Sequence, residues 1–314
     1  QASLLAITID SEKDVPKEFL TTVEDCNFTN NRHFQALGLG QAFEYQGSLI
    51  RITSPNSLAT SQELPLLNVR RSTFLGNIFI GENSQLIYAQ NALLQITDST
   101  FVFNGGFLSG MEVSSKRPEG FFPFSEYESI FFQDYGLIYL EGMLSFSHKY
   151  SHHIANNSFS NCFARHSTIL HMNFGNQYLN ISGNTFLNNI ALLGGIISTK
   201  GAIHSNLYAQ KSYLKSATAN STILIEHNDF HQQISYEGIF SLILSDSNLR
   251  LNLFVRNSSF GNNFQFDAFS LFSFQNLRKV MIQNSSFYIT QTREALQQAY
   301  IEGLATSPND NLAQ

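Results

Sequence analysis

The stretch Leu179-Asn-Ile-Ser-Gly-Asn-Thr-Phe-Leu-Asn-Asn189 returns in altered form as Leu253-Phe-Val-Arg-Asn-Ser-Ser-Phe-Gly-Asn-Asn263, and their shared pattern decides the fold. The pattern is Val or Ile, a small polar residue three positions on, Phe two positions later, and Asn three positions after the Phe. It recurs about every 27 residues, which is typical of a solenoid whose turns stack on one another. Its Phe column is Phe28, Phe74, Phe101, Phe131, Phe159, Phe186, Phe230, Phe260 and Phe287.

The residues around the Phe predict the cross-section of each turn, which we call a coil. Aliphatic residues such as Leu179 and Ile181 alternate with polar residues, which predicts a strand with one buried face. The inward parity shifts at the small polar residue, so we expect a corner there. Asn tolerates left-handed backbone and bonds its own turn, so the Asn after the Phe predicts a ladder of side-chain amides that closes each coil. This ladder is Asn31, Asn77, Asn104, Asn189 and Asn263.

A second strand follows in each coil, for example Gly136-Leu-Ile-Tyr-Leu140 and Gly47-Ser-Leu-Ile-Arg-Ile52. A β-sandwich would also show many short strands with turn signals between them. A sandwich, however, gives no reason for the same Phe, Ser and Asn to return at a fixed offset. The sequence therefore predicts an all-β chain, a right-handed parallel β-helix over residues 1–291 with roughly nine to eleven coils of about 27 residues.

The motifs Phe28-Thr-Asn-Asn31, Phe74-Leu-Gly-Asn77 and Gly194-Gly-Ile-Ile197 carry a resemblance to a known group. The chain resembles right-handed parallel β-helix proteins of the pectin-lyase-like superfamily. Within that group it is most similar to polymorphic outer membrane proteins, whose surface repeats pair a Gly-Gly-Ala-Ile strand with Phe-x-x-Asn. The likeness covers about residues 20–290 and implies an extracellular or cell-surface location.

Composition limits the partners that we expect. The 29 Phe and the lack of Trp suit a long stack of buried rings. The net charge of −6, without charge blocks, disfavours nucleic acid and anionic membrane as partners. We expect no cofactor. No run reaches the ~18 apolar residues of a membrane span. The start of the chain, which has no initiator Met or signal peptide, indicates a processed chain or a segment of a longer one. Residues 292–314 leave the repeat and predict a short amphipathic helix, which either caps the last coil or leads into a further domain.

Long insertions interrupt the repeat at residues 53–64, 112–126 and 202–220. Each is expected to follow the second strand of its coil, which would place all three on one flank as a composite surface. Arg117, Phe121 and Tyr213 could contact carbohydrate there, or the aromatic side chains could pack back onto the coil.

Two cysteines and several sequons suggest sites of covalent modification. Cys26 and Cys162 are separated by at least ~19 Å if strands repeat every 4.8 Å, too far for a disulfide between them. Cys26 is expected to fill the small inward column, and Cys162, which replaces a ladder Asn, is the candidate for a disulfide to another chain. The candidate glycosylation sites are Asn156, Asn220, Asn257 and Asn284.

Acidic and histidine residues decide whether the chain could be an enzyme. Polysaccharide lyases of this superfamily need a carboxylate cluster with Ca²⁺, and hydrolases need two or three placed carboxylates. Asp25, Asp98 and Glu128 share one column, but no third acid extends the pair Asp98 and Glu128. The histidines at 148, 152, 153, 166 and 171 cluster without accompanying Cys or carboxylate spacing, so we expect no metal site.

The sequence thus predicts a non-catalytic, extracellular structural protein, a rigid surface-coat or filament subunit that self-associates end to end or joins neighbouring β-helical domains. A glycan- or host-binding adhesin is the second hypothesis, and a polysaccharide lyase or glycoside hydrolase the third.

Overall fold

The computed structural model shows an all-β protein over the residues that it describes. These residues are 4–9, 20–34, 48–54, 65–80, 85–105, 136–142, 151–164, 168–174, 178–191, 195–198, 220–235, 238–243, 250–265, 271–275 and 277–288. Within these ranges the chain forms thirty strands and no helix. All of the strand pairs in these ranges are parallel.

The strands form four stacks, named sheets A to D. Sheet A contains β1 (Leu5–Thr8), β5 (Ser48–Thr53), β9 (Gln85–Gln90), β12 (Ile138–Gly142), β16 (Leu170–Phe174), β20 (Ile197–Ser198), β24 (Phe240–Ile243) and β28 (Phe272–Gln275). Sheet B contains β2 (Leu20–Glu24), β6 (Leu66–Arg70), β10 (Leu93–Thr97), β13 (His152–Ala155), β17 (Tyr178–Ser182), β21 (Asn220–Glu226), β25 (Arg250–Arg256) and β29 (Leu277–Gln283). Sheet C contains β3 (Asn27–Thr29), β7 (Thr73–Leu75), β11 (Thr100–Val102), β14 (Ser158–Ser160), β18 (Thr185–Leu187), β22 (Asp229–His231), β26 (Ser259–Gly261) and β30 (Ser286–Tyr288). Sheet D contains β4 (Arg32–Phe34), β8 (Ile78–Ile80), β15 (Phe163–Ala164), β19 (Ile190–Ala191), β23 (Ile234–Ser235) and β27 (Phe264–Gln265), with Gly105 bridging β8 to β15.

The chain visits sheets A, B and C in the same order eight times, and each visit adds one strand to the same edge of each sheet. Such repeated stacking of parallel strands is compatible with a β-solenoid. The described residues therefore form eight coils, fewer than the nine to eleven predicted.

The missing coil is the one that the repeat places around Phe131, a residue outside the described ranges. In sheet C, Phe101 pairs directly with Phe159, and in sheet B, Ile96 pairs directly with Ile154. No coil containing Phe131 lies between these neighbours. The expectation that Phe131 continues the ladder at this point was wrong, and that copy also lacks the aliphatic residue five positions before the Phe.

The core lies between the inner faces of sheets A, B and C. Sheet B shows the alternation that the sequence predicts, since Leu67 and Val69 are fully buried while Asn68 and Arg70 are half-buried. Ile87, Ala89, Ile138 and Leu140 supply the same buried face from sheet A. A side chain that packs between its counterparts in the two neighbouring coils is shielded from water on both sides. This burial of apolar surface is the main favourable term in folding.

The insertions do not all occupy one position in the coil. Residues 55–64 and 199–219 join a strand of sheet A to the next strand of sheet B, as predicted. Residues 106–135 instead join Gly105 of sheet D to β12 of sheet A. The insertion at 112–126 was therefore assigned to the wrong connection, and with it Arg117 and Phe121, which lie outside the described residues.

Candidate functional site

Two residues with left-handed backbone turn each coil through its corners. The first lies three positions before the Phe and includes Asp25 (φ 53°), Asn156 (φ 57°) and Gly183 (φ 66°). The second lies two positions after the Phe and includes Asn30 (φ 54°) and Asn188 (φ 53°). Asn, Asp and Gly reach this region at low cost and fill most of these positions. The others are held by Arg71, Phe103, His227 and Gln232. The sequence had assigned this backbone to the ladder Asn, one residue too late.

The small polar column forms an uninterrupted hydrogen-bonded ladder across the seven junctions between coils. At each junction the backbone N–H of one coil donates to the side-chain oxygen of the next, as when Asn157 N–H donates to Asn184 Oδ1 at 2.9 Å and Asn184 N–H to Asn228 Oδ1 at 2.9 Å. Asn184 Nδ2 also donates to the carbonyl of Ile154 at 2.8 Å. The members of the ladder are Cys26, Ser72, Ser99, Asn157, Asn184, Asn228, Ser258 and Ser285. These buried amides tie neighbouring coils together in one register.

The Asn column after the Phe forms a second ladder. Asn31 N–H donates to Asn77 Oδ1 at 3.1 Å, and Asn77 N–H donates to Asn104 Oδ1 at 3.1 Å. The ladder resumes where Cys162 N–H donates to Asn189 Oδ1 at 3.1 Å, and it ends at Asn263, which accepts from the N–H of Gln233. From Asn77 onward each side-chain amide also donates to a carbonyl of the preceding coil, for example Asn104 Nδ2 to Phe74 O at 2.8 Å.

The rings of eight Phe residues stack in one column along sheet C. Neighbouring centroids lie 4.4–5.1 Å apart, with planes within 15° of parallel. The column is Phe28, Phe74, Phe101, Phe159, Phe186, Phe230, Phe260 and Phe287. The spacing equals the distance between strands, so the sheet itself sets the stacking.

Cys162 lies in the core and is fully buried. Burial raises the pKa of its thiol to about 12, although hydrogen bonds with the backbone and side chain of Asn104 and with the backbone of Ser160 lower that pKa in part. A disulfide needs an accessible thiolate, so the predicted bond from Cys162 to another chain is inconsistent with this placement. Cys26 is partly exposed and its thiol donates to the carbonyl of Glu24 at 3.2 Å.

Three of the four candidate glycosylation sites are exposed at one corner. Asn156, Asn257 and Asn284 share the first left-handed column, with φ between 47° and 57°. Asn220 begins β21, and its side chain is outside the described part of the structure.

The acidic column offers no clustered carboxylates among the described residues. Asp25 is paired with Arg71, whose Nε lies 2.9 Å from Asp25 Oδ1. The neighbour of Asp98 in the column is Asn156, not Glu128, which lies outside the described residues, because Thr97 pairs with Ala155. In the described ranges no three His, Cys, Asp or Glu side chains come close enough to hold a metal ion.

The predicted histidine cluster is divided between faces. His152 faces the core in the aliphatic column of sheet B, between Leu94 and Leu179. His153 lies on the opposite face of the same strand, and His171 belongs to sheet A. His148 and His166 are outside the described residues. Burial lowers the pKa of His152 from 6.5 to about 4, with a smaller contribution from His153, so the ring is neutral in the folded protein at pH 7.

Sequence reasoning missed a polar and aromatic column on the outer face of sheet A. The guanidinium of Arg51 lies 4.9 Å over the ring of Tyr88, which stacks on Tyr139 at 5.5 Å, and Tyr139 stacks on His171 at 5.2 Å. The Tyr88 hydroxyl donates to Glu141 Oε2. The Tyr and His side chains are buried although they face away from the core. The common offset of Tyr88, Tyr139 and His171 in the second strand of each coil was the signal that could have found them.

The side chains of this outer column stabilise the stack and are poorly suited to proton transfer. The pKa of Tyr88 is raised well above its usual value, first by burial and then by the negative charge and hydrogen bond of Glu141. Tyr88 is therefore a neutral donor across the physiological pH range, and its hydrogen bond holds the carboxylate of the next coil.

The last coil exposes three side chains whose counterparts in the interior coils are buried, together with Tyr288 from the outward column of Leu187. Val280, Ile282 and Phe287 are 41 %, 40 % and 42 % exposed, and Tyr288 is 57 % exposed. We call these four residues the C-terminal end face. At the other end of the stack, Val23 and Phe28 occupy the same columns as Ile282 and Phe287 but are only 6 % and 9 % exposed.

The fold and its ladders define the class, an all-β protein built from stacked parallel sheets. Comparison with protein-family models, curated proteins and solved structures gave no match to this chain. None of the described residues belongs to a helix long and apolar enough to cross a membrane.

Proposed function

We propose that this chain is a right-handed parallel β-helix that serves as a non-catalytic, extracellular structural subunit and self-associates end to end. It acts through its shape, as a stiff rod that presents a long surface in a surface coat or in a filament. The likeness to surface repeats supports the location.

The observation that carries this proposal is the continuity of the three internal columns. The Phe stack and the small polar ladder pass through all eight coils, and the Asn ladder accompanies them with one break at Cys162. A coil cannot bend away from its neighbour without breaking buried hydrogen bonds, each of which would leave a group that costs about 1–3 kcal/mol. Stiffness along the stacking axis is what a structural rod requires.

Electron microscopy of the natively purified protein tests the proposal. Eight coils at ~4.8 Å each predict a rod about 38 Å long, and end-to-end association predicts particles at whole multiples of that length. Rods of single length at every concentration would contradict the association. They would favour an adhesin, which glycan-array binding of the monomer would then test.

A further inference from the structure

The two ends of the stack are not equivalent. The small polar ladder shows what an added coil supplies: each backbone N–H at this position donates to a side chain of the following coil. Ser285 holds the last such position, and no described residue accepts from its N–H. The C-terminal end face therefore combines exposed apolar side chains with the edges of β28, β29 and β30, which pair with no further strand among the described residues. Such edges template further pairing.

The N-terminal end exposes Leu4 and Leu20, but the columns that face the core are covered there. Val23 and Phe28 are buried in the folded chain, although no described strand lies beyond β2 and β3. A head-to-tail contact would have to uncover them first. An apolar end face of one molecule is therefore matched most directly by the same face of another molecule.

We infer that two copies of this chain pair through their C-terminal end faces, with β29 antiparallel to its copy around a twofold axis at Met281. This inference rests on the end-to-end association proposed above and names its partner, a second copy of the same chain. It also favours the surface coat over the filament, because a contact in which both partners use one face closes on itself as a dimer.

The sequence of β29 is self-complementary in this arrangement. Pairing around Met281 sets Val280 opposite Ile282 of the copy, and both belong to the columns that face the core. Lys279 then lies opposite Gln283, and residue 278 opposite residue 284, so no like charges face each other directly. Directly opposite side chains in antiparallel strands lie on the same side of the sheet, so the apolar pairs extend the core across the junction.

Cysteine cross-linking tests the pairing, because Met281 and Thr22 occupy one column at opposite ends of the stack. In a Cys26→Ser background of the full chain, Met281→Cys should form a disulfide-linked dimer under mild oxidation, since the twofold axis brings the two thiols together. Thr22→Cys, the matched control, should stay unlinked. If neither variant links alone but their mixture does, the contact is head to tail and the twofold inference is overturned, while the proposed function stands.

Sedimentation velocity supplies the second readout. The unmodified chain should reach a dimer and no larger species, and Ile282→Lys should raise the dissociation constant at least 100-fold. Leu20→Lys, at an exposed position of the N-terminal end, should leave it unchanged. A monomer at all concentrations would overturn both the inference and the end-to-end association, and a ladder of larger species would overturn the inference alone.

Discussion

His152 should make the stability of this protein depend on pH. Its ring replaces an aliphatic side chain in the core, where Nδ1 accepts from the N–H of Leu94 at 3.2 Å and Nε2 has no hydrogen-bond partner among the described residues. A pKa of about 4 in the folded chain, against 6.5 in the unfolded chain, means that the unfolded state binds the proton more tightly. Stability is therefore complete above pH 6.5 and is lost as the pH falls from 6.5 to 4.

The size of this effect follows from the two pKa values. A difference of one pKa unit between the two states corresponds to about 1.4 kcal/mol. Protonation of His152 in the unfolded chain therefore lowers the free energy of unfolding by about 3 kcal/mol when the pH has reached 4. Between pH 7.5 and pH 4.5 most of this loss, about 2.5 kcal/mol, should already be present.

Urea unfolding followed by circular dichroism at pH 7.5 and pH 4.5 measures the effect. His152→Leu should lack this part of the pH dependence, because the leucine matches Leu94 and Leu179 in its column and carries no titrating group. His227→Gln, at an exposed corner, is the matched control and should lose as much stability as the unmodified chain. An equal loss of stability in His152→Leu and the unmodified chain would refute the reasoning.

Three further outcomes follow from the columns. Phe186→Ala should lower the free energy of unfolding by about 3–5 kcal/mol and Phe287→Ala by clearly less, since the second ring is already 42 % exposed; equal losses in urea unfolding would count against the stack as a buried element. Asn184→Ala should lower the free energy of unfolding by about 3 kcal/mol or more, because it leaves the buried N–H of Asn157 and the carbonyl of Ile154 without these hydrogen bonds. A thermal midpoint within a degree of that of the unmodified chain would argue against the ladder. In the native protein at pH 8, a water-soluble disulfide reagent should modify one thiol per chain and spare Cys162, whose pKa is about 12, so rapid modification of both thiols would contradict its burial.

Much of the coil could be predicted from sequence because the repeat places equivalent residues in equivalent surroundings. The alternation around Ile181 predicts its strand. The Phe column falls on sheet C and the small polar column on the corner between sheets B and C, at the predicted offsets. The left-handed residue was placed one position late because Asn188 and Asn189 are identical side chains with different roles. Only the backbone shows that the first turns the corner and the second donates inward.

Other features depend on which coils become neighbours, and pattern alone does not determine that. The copy around Phe131 matches the repeat in its Phe and Ser, yet β11 pairs with β14 and leaves that copy out. This choice also fixes the neighbours of Cys162, which lies between Asn104 and Asn189 and is sealed in the core rather than available to a partner.

The sequence by itself determined the parallel repeat, the side chains that face the core and the residue types at the corners, because each of these depends on local spacing within one coil. Only the tertiary structure decided that eight coils stack, that Tyr88 meets Glu141, that His152 is buried and that one end of the stack is exposed. These features arise from contacts between residues 27 to 58 positions apart, whose partners are chosen by the stacking of whole coils rather than by any single stretch.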